Sequence, residues 1–157
     1  MSLKAAAIGL QHGHINGFLE AMTRHPEVEL VAVAEPEEAV RDRYARRYGV
    51  PAYGSARELL ERHQVDIVGA APVHSEAAAV VCEALGAGAH VVLDKPVHSL
   101  ADLEALRRAR SRAGRECWLM LTVRYSGPAR AMKQLFRSGR LGRFVNFLQS
   151  QPSQDLC

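Results

Sequence analysis

No apolar run in this sequence approaches the roughly 20 residues that a helix needs to span a bilayer. No membrane partner is therefore expected. A strand pattern begins at Leu3, so no leader peptide is expected, and the expected location is the cytoplasm. Cysteine is scarce: Cys82, Cys117 and Cys157 are the three in the chain. Their separations match neither a metal-ligand set nor a redox pair, which leaves free thiols in a reducing compartment. An excess of one charge is lacking too. Twenty Lys and Arg stand against 17 Asp and Glu, and the signs are interleaved, as in Glu37-Glu38-Ala39-Val40-Arg41-Asp42-Arg43. That is the pattern of a solvated helix face, and no nucleic-acid partner is expected. There is no repeat at solenoid spacing and no low-complexity tract. What is present, 157 residues with 48% apolar and 24% charged side chains, has the balance of a globular protein with a substantial core.

Short apolar runs alternate with helical stripes along the chain. Runs at 3–9, 29–34, 66–70, 90–93, 117–123 and 143–149 read as strands, with a very short one at 51–53. Helices are expected at 15–25, 37–48, 55–63, 76–85, 100–113 and 128–138. Local chemistry supports several ends. Gly49 suits a left-handed stop. Ser55-Ala56-Arg57-Glu58 is a capping box. Ser99 caps its helix with Asp102 near the positive end. Pro128 fits a first helical position, and Gly139 ends that helix. Short strands bounded by Gly or Pro, with a helix after each, predict a doubly wound α/β architecture: a parallel sheet covered on both faces.

Three places along this pattern carry chemistry. The first strand-to-helix turn is Gly9-Leu10-Gln11-His12-Gly13-His14, followed by Ile15 at the helix start. Backbone N–H groups and the positive helix end can hold a pyrophosphate there. The spacing departs from G-x-G-x-x-G, since Gln11 and His14 occupy glycine positions, and a tight turn without a ligand is the alternative. Glu35 follows the second strand, 22 residues beyond Gly13. A carboxylate in that place accepts bonds from both ribose hydroxyls and repels a 2′-phosphate; a solvated glutamate is the alternative. Asp94-Lys95-Pro96 follows the strand at 90–93, at the sheet edge where ligands bind in such folds. Lys95 there is either a proton donor and substrate clamp or a surface lysine.

The chain resembles the family of glucose-fructose oxidoreductase, inositol dehydrogenase and MocA oxidoreductases over about residues 3 to 149. The segments that carry the resemblance are AAAIGLQHGH, VELVAVAEP, VDIVGAAPVH, EALGAGAHVVLDKPV and LTVRYSGPARAMKQLFRSGRLGRFVNF. AGAHVVLDKP is similar to the family's Glu-Lys-Pro segment, with Asp94 in the acidic place. The resemblance implies a Rossmann domain over 1–142 binding NAD, with NADP possible, and the start of a substrate domain over 143–157. It implies hydride transfer at a hydroxyl-bearing carbon of a sugar, a cyclitol or a related compound. It assigns Lys95 to the catalytic centre. Gly9, Leu10, Gln11, His12, Gly13, His14 and Ile15 fall at the pyrophosphate, and Glu35 at the ribose. Ala71, Pro72, His74, Asp94, Pro96 and Arg124 fall along the cofactor. The sequence departs from the family pattern at Val73, where an Asn is usual, and in its glycine-poor first loop.

Family members continue into an antiparallel sheet bearing further substrate-binding groups. The chain as given is therefore expected to bind cofactor without turning over substrate, and either to self-associate, as a dimer, through the strand at 143–149 or to have a disordered tail after Gly142. A non-catalytic dinucleotide-binding module or an inactive fragment are the alternatives. His12 and His14 flank Gly13, but no acid or thiol lies beside them in sequence, so no metal is expected. Tyr44 and Tyr48, one helical turn apart, read as packing. Trp118 is expected in the core, and Leu100, Leu103 and Leu106 on the inward face of a helix whose arginines are solvated.

Overall fold

A computed structural model describes residues 2–143 and 145. The chain divides into two compact units, which part between Leu121 and Thr122.

The first unit alternates strand and helix: β1 (Leu3–Ile8), α1 (Ile15–Arg24), β2 (Val28–Ala34), α2 (Glu38–Tyr48), β3 (Ala52–Tyr53), α3 (Ala56–Arg62), β4 (Ile67–Ala70), α4 (Ala77–Gly86), β5 (His90–Leu93), α5 (Leu100–Ala113) and β6 (Cys117–Leu119). The six strands lie in the order β3-β2-β1-β4-β5-β6, and every pairing is parallel. This is the doubly wound sheet that the alternating pattern predicts. The strand order reverses between β1 and β4, so the loops leaving their carboxyl ends diverge and open a crevice there.

The residues of the central strands explain the tight layers. Ala5, Ala6 and Ala7 of β1 are fully buried. Small side chains let helices approach both faces of the sheet. One apolar cluster gathers Ile15, Phe18 and Leu19 of α1 with Val33 and Tyr44. The other gathers Leu59, Val81, Leu85 and Leu106 from α3, α4 and α5 with Val68, Val91 and Leu93 of the sheet. In β4, Gly69 makes room for α1: a Cβ there would lie 2.4 Å from the Phe18 ring.

The expected caps form. Gly49 takes φ 64° after α2, Ser55 Oγ accepts from Glu58 N at 3.2 Å, and Ser99 Oγ accepts from Asp102 N at 3.1 Å. Tyr44 is buried and its ring stacks with Tyr48, 6.2 Å between centroids. Three expectations are corrected. The strand expected over 117–123 ends at Leu119, and a short 3-10 helix occupies Thr122–Tyr125. Trp118 is 49% exposed and stacks on His90 instead of entering the core, because β6 pairs only with β5 at the sheet edge. Leu100 is 81% exposed and Leu103 is also exposed, so Leu106 alone of the three is buried. Leu100 is the first residue of α5, ahead of the part of that helix that lies on the core.

The second unit contains that 3-10 helix and α6 (Gly127–Arg137). Ser126 caps α6 by accepting from Ala129 N, Pro128 sits in its first turn, and Gly139 follows with φ 72°. Apart from Arg143 and Val145, the strand expected at 143–149 lies outside the described residues. Among the described residues, no helix is long and apolar enough to cross a membrane.

Candidate functional site

The crevice at the reversal of strand order is built by four connections: those after β1, β2, β4 and β5. The first begins at Gly9, which takes φ 77°, a left-handed conformation that glycine adopts without strain. There is a steric demand as well. A Cβ on Gly9 would lie 2.2 Å from Pro72 N and 2.5 Å from the Ala71 carbonyl carbon. The turns after β1 and β4 therefore cross in direct backbone contact, and only glycine permits the crossing. Gly13 differs: its φ is ordinary and a Cβ would meet nothing within 4 Å. Its flank is open, as a turn that receives a ligand requires.

Glu35 organises this loop. The side chain is only 2% exposed, although it follows β2 directly. Oε2 accepts from Leu10 N at 2.7 Å, and Oε1 accepts from Gln11 Nε2 and from Glu37 N, each at 3.1 Å. A carboxylate offers about four acceptor sites, so three N–H donors leave capacity for one further donor. Arg41 reaches back to the same place, donating from Nη1 to the carbonyl oxygens of Glu35 and Pro36 at 2.9 and 3.0 Å. The glutamate that the sequence assigns to a ribose thus ties the turn after β1 to the end of β2. The second role has no signature in the sequence, because it depends on the loop folding back over 25 residues of separation.

Beside Glu35 runs a groove of about 480 Å³, lined by Gly9, Gln11, Glu35, Ser55, Pro72 and Glu76 among others. Ala34, Ala56, Ala79 and Val80 give it apolar walls. A few polar groups on apolar walls are what a nucleoside pocket offers. A smaller hollow of about 210 Å³ adjoins the same turns and is lined by Gln11, His12, Ala71, Pro72, Val73 and His74. Ala71 is buried, and its N–H donates to the Ile8 carbonyl at 2.8 Å, which locks the β4 turn against β1.

The turn after β5 brings the acid that the loop's own sequence lacks. Asp94 is 4% exposed. Its Oδ2 meets His12 Nδ1 at 2.5 Å and its Oδ1 meets His14 Nδ1 at 2.9 Å, while Lys95 N donates to Oδ1 at 2.9 Å. The two imidazoles stand edge to face, 4.5 Å between centroids. His12, His14 and Asp94, up to 82 positions apart in the chain, form one cluster in which candidate ligand atoms lie within 4.8 Å of one another. The expectation that the histidine pair stands alone is corrected by this contact. Lys95 and Pro96 are exposed on the same turn, joined by a cis peptide bond. Ile15 is buried under the loop as the first residue of α1. The fold thus gathers the expected site residues of the first unit at one sheet edge. Arg124 belongs to the second unit, exposed on its 3-10 helix. Away from the crevice, burial pushes the Cys82 and Cys117 thiols above their ordinary range, so both are protonated at neutral pH.

Residues 3–121 match the family model described as "Oxidoreductase family, NAD-binding Rossmann fold". The chain is 32% identical over 133 residues to dTDP-3,4-didehydro-2,6-dideoxy-alpha-D-glucose 3-reductase of Saccharopolyspora spinosa, covering 82% of this chain and 39% of that protein. It is 33% identical over 139 residues to trans-1,2-dihydrobenzene-1,2-diol dehydrogenase of Oryctolagus cuniculus, covering 85% of this chain and 41% of that one. Its fold is shared with the WlbA dehydrogenase of Bordetella pertussis, solved in complex with NADH and UDP-GlcNAcA, at a TM-score of 0.82 and 20% identity, covering 91% of this chain and 44% of that chain. The chain spans about two fifths of the length of these curated relatives.

Proposed function

The chain belongs to the GFO_IDH_MocA oxidoreductase family, with its NAD-binding Rossmann fold, and from that footing we propose that it supplies the cofactor half of a dehydrogenase acting at a hydroxyl-bearing carbon of a sugar, a cyclitol or a related small molecule. The observation that supports this reading most is the convergence of the Glu35-anchored loop, the groove and the Asp94-Lys95 turn at the crevice between β1 and β4.

Bound at this edge, the dinucleotide supplies the hydride acceptor. The residues do the rest. The open flank of Gly13 lets a pyrophosphate approach the backbone at the start of α1. Glu35 holds that loop in place and has one acceptor position left for a ribose hydroxyl. Its negative charge opposes a 2′-phosphate, so NAD is preferred over NADP. Pro72 and His74 border the hollow beside the loop. Lys95, exposed on its turn, contacts the substrate oxygen, and as a neutral amine it takes the hydroxyl proton while the carbon gives up hydride. Asp94, clasped by two imidazoles and by Lys95 N, fixes the base of that turn.

The test is Lys95→Met in a catalytically competent preparation, assayed for cofactor reduction with a panel of polyols and sugars. Turnover falls by about 10²- to 10⁴-fold, the usual worth of a positioned acid or base, while NAD affinity stays within a factor of two or so. Unchanged turnover, with a collapse in thermal stability, would make Lys95 structural and remove the reading.

A further inference from the structure

The His12–Asp94–His14 cluster, which anchors the turn carrying Lys95, has a donor set that this anchoring does not account for. Two imidazoles, two residues apart on one loop, turn the same ring atom, Nδ1, toward one buried carboxylate from another loop. The loop histidines are not drawn there by burial: His12 is 48% exposed. Their convergence assembles two borderline nitrogen donors and one hard oxygen donor around a single point, with all ligand atoms within 4.8 Å of one another. We propose that this cluster is a binding site for a divalent transition-metal ion of the zinc class, held by His12 Nδ1, His14 Nδ1 and the Asp94 carboxylate.

The ligand set fits that ion. Imidazole and carboxylate suit zinc and its neighbours, and three protein ligands with an open fourth position describe a site that takes water or an oxygen ligand. Tetrahedral coordination at about 2.0–2.2 Å from each donor sets ligand atoms roughly 3.3 Å apart. His12 Nδ1 lies 2.5 Å from Oδ2 and His14 Nδ1 2.9 Å from Oδ1, so with both carboxylate oxygens facing the ion each pair needs to open by less than about 1 Å, within reach of small side-chain rotations on an exposed loop. The charge balance favours it as well. A divalent cation gives a neutralising partner to a carboxylate that is almost wholly withdrawn from water. Lys95 N already donates to Asp94 Oδ1, which orients the carboxylate from outside the ligand set, as outer partners of metal ligands do. His12 is half exposed, so an ion held there exchanges with solvent, and no step of the proposed hydride transfer depends on it.

The test uses the untagged 157-residue chain, stripped with chelator and titrated calorimetrically with Zn²⁺ alone. One equivalent binds, and Co²⁺ substitution gives visible ligand-field bands. His12→Ala and His14→Ala each weaken Zn²⁺ binding by more than about tenfold, while circular dichroism shows both folded. Cys82→Ser and His98→Ala, which lie outside the cluster, leave it within about twofold. Absence of stoichiometric binding would overturn the proposal and leave the cluster as a hydrogen-bonded clasp between two loops. So would binding that survives loss of both loop histidines, since the metal would then sit elsewhere.

Discussion

Glu35→Gln separates the two roles that the structure gives this side chain. The substitution keeps the volume but replaces one acceptor oxygen by an NH₂ donor. In the native protein Oε2 serves Leu10 N and Oε1 serves Gln11 Nε2 and Glu37 N. Whichever way the amide turns, its NH₂ faces at least one N–H donor. A hydrogen bond to a charged group is worth about 1.5–3 kcal/mol, and a buried donor left unmet costs about 1–3 kcal/mol. Because Glu35 is 2% exposed, solvent does little to relieve either loss. The two overlap, so a combined penalty of about 3 kcal/mol is expected. That is a large part of the roughly 5–15 kcal/mol by which domains are stable, yet it leaves the protein folded. At about 2–4 °C per kcal/mol for a chain of this length, Tm falls by roughly 6–12 °C. Thermal unfolding with and without saturating NAD reads both roles, since ligand bound only to the folded state raises Tm. The variant should start lower and gain less from NAD. An unchanged Tm in the absence of cofactor would refute the reasoning, because the loop would then not depend on the carboxylate.

Two further substitutions test the glycine positions. Gly13→Val should leave the circular dichroism spectrum intact, because a Cβ at this position meets nothing in the protein within 4 Å. It should abolish calorimetric NAD binding by filling the space beside the phosphate, and normal binding would move the pyrophosphate elsewhere. Gly69→Ala should do the reverse. Its Cβ collides with the Phe18 ring, at an overpacking cost of about 1–3 kcal/mol, which outweighs the roughly 0.4–1 kcal/mol gained by stiffening the unfolded chain. A urea midpoint equal to or above that of the native protein would contradict the tight α1–β4 packing.

Much of the fold is legible in the sequence because the sheet is buried on both faces. Its strands stand out as short apolar runs, and glycine and serine mark helix ends at Gly49, Ser55 and Ser99. The errors fall where one-dimensional pattern does not report burial. Cys117 to Val123 is apolar enough for a longer strand, yet the chain turns into a 3-10 helix after Leu121, and Trp118 lies on an edge. For the candidate site, position in the βα pattern is enough to expect Gly9, Glu35 and Lys95 at the carboxyl ends of the strands, which is where they lie. The contacts that make the site a unit were hidden. Asp94 reaches His14 across 80 residues, Glu35 reaches Leu10 across 25, and Gly9 is required by the crossing of Pro72. Each depends on parallel strands placing their carboxyl ends side by side, which no local spacing encodes.

Calorimetric titration of NAD into the 157-residue chain tests the central claim most directly, that the crevice between β1 and β4 is a dinucleotide site. A single site per chain is predicted, with NADP binding more weakly because Glu35 opposes its 2′-phosphate, and with the heat abolished by Gly13→Val. A folded chain that takes up neither dinucleotide would contradict the account.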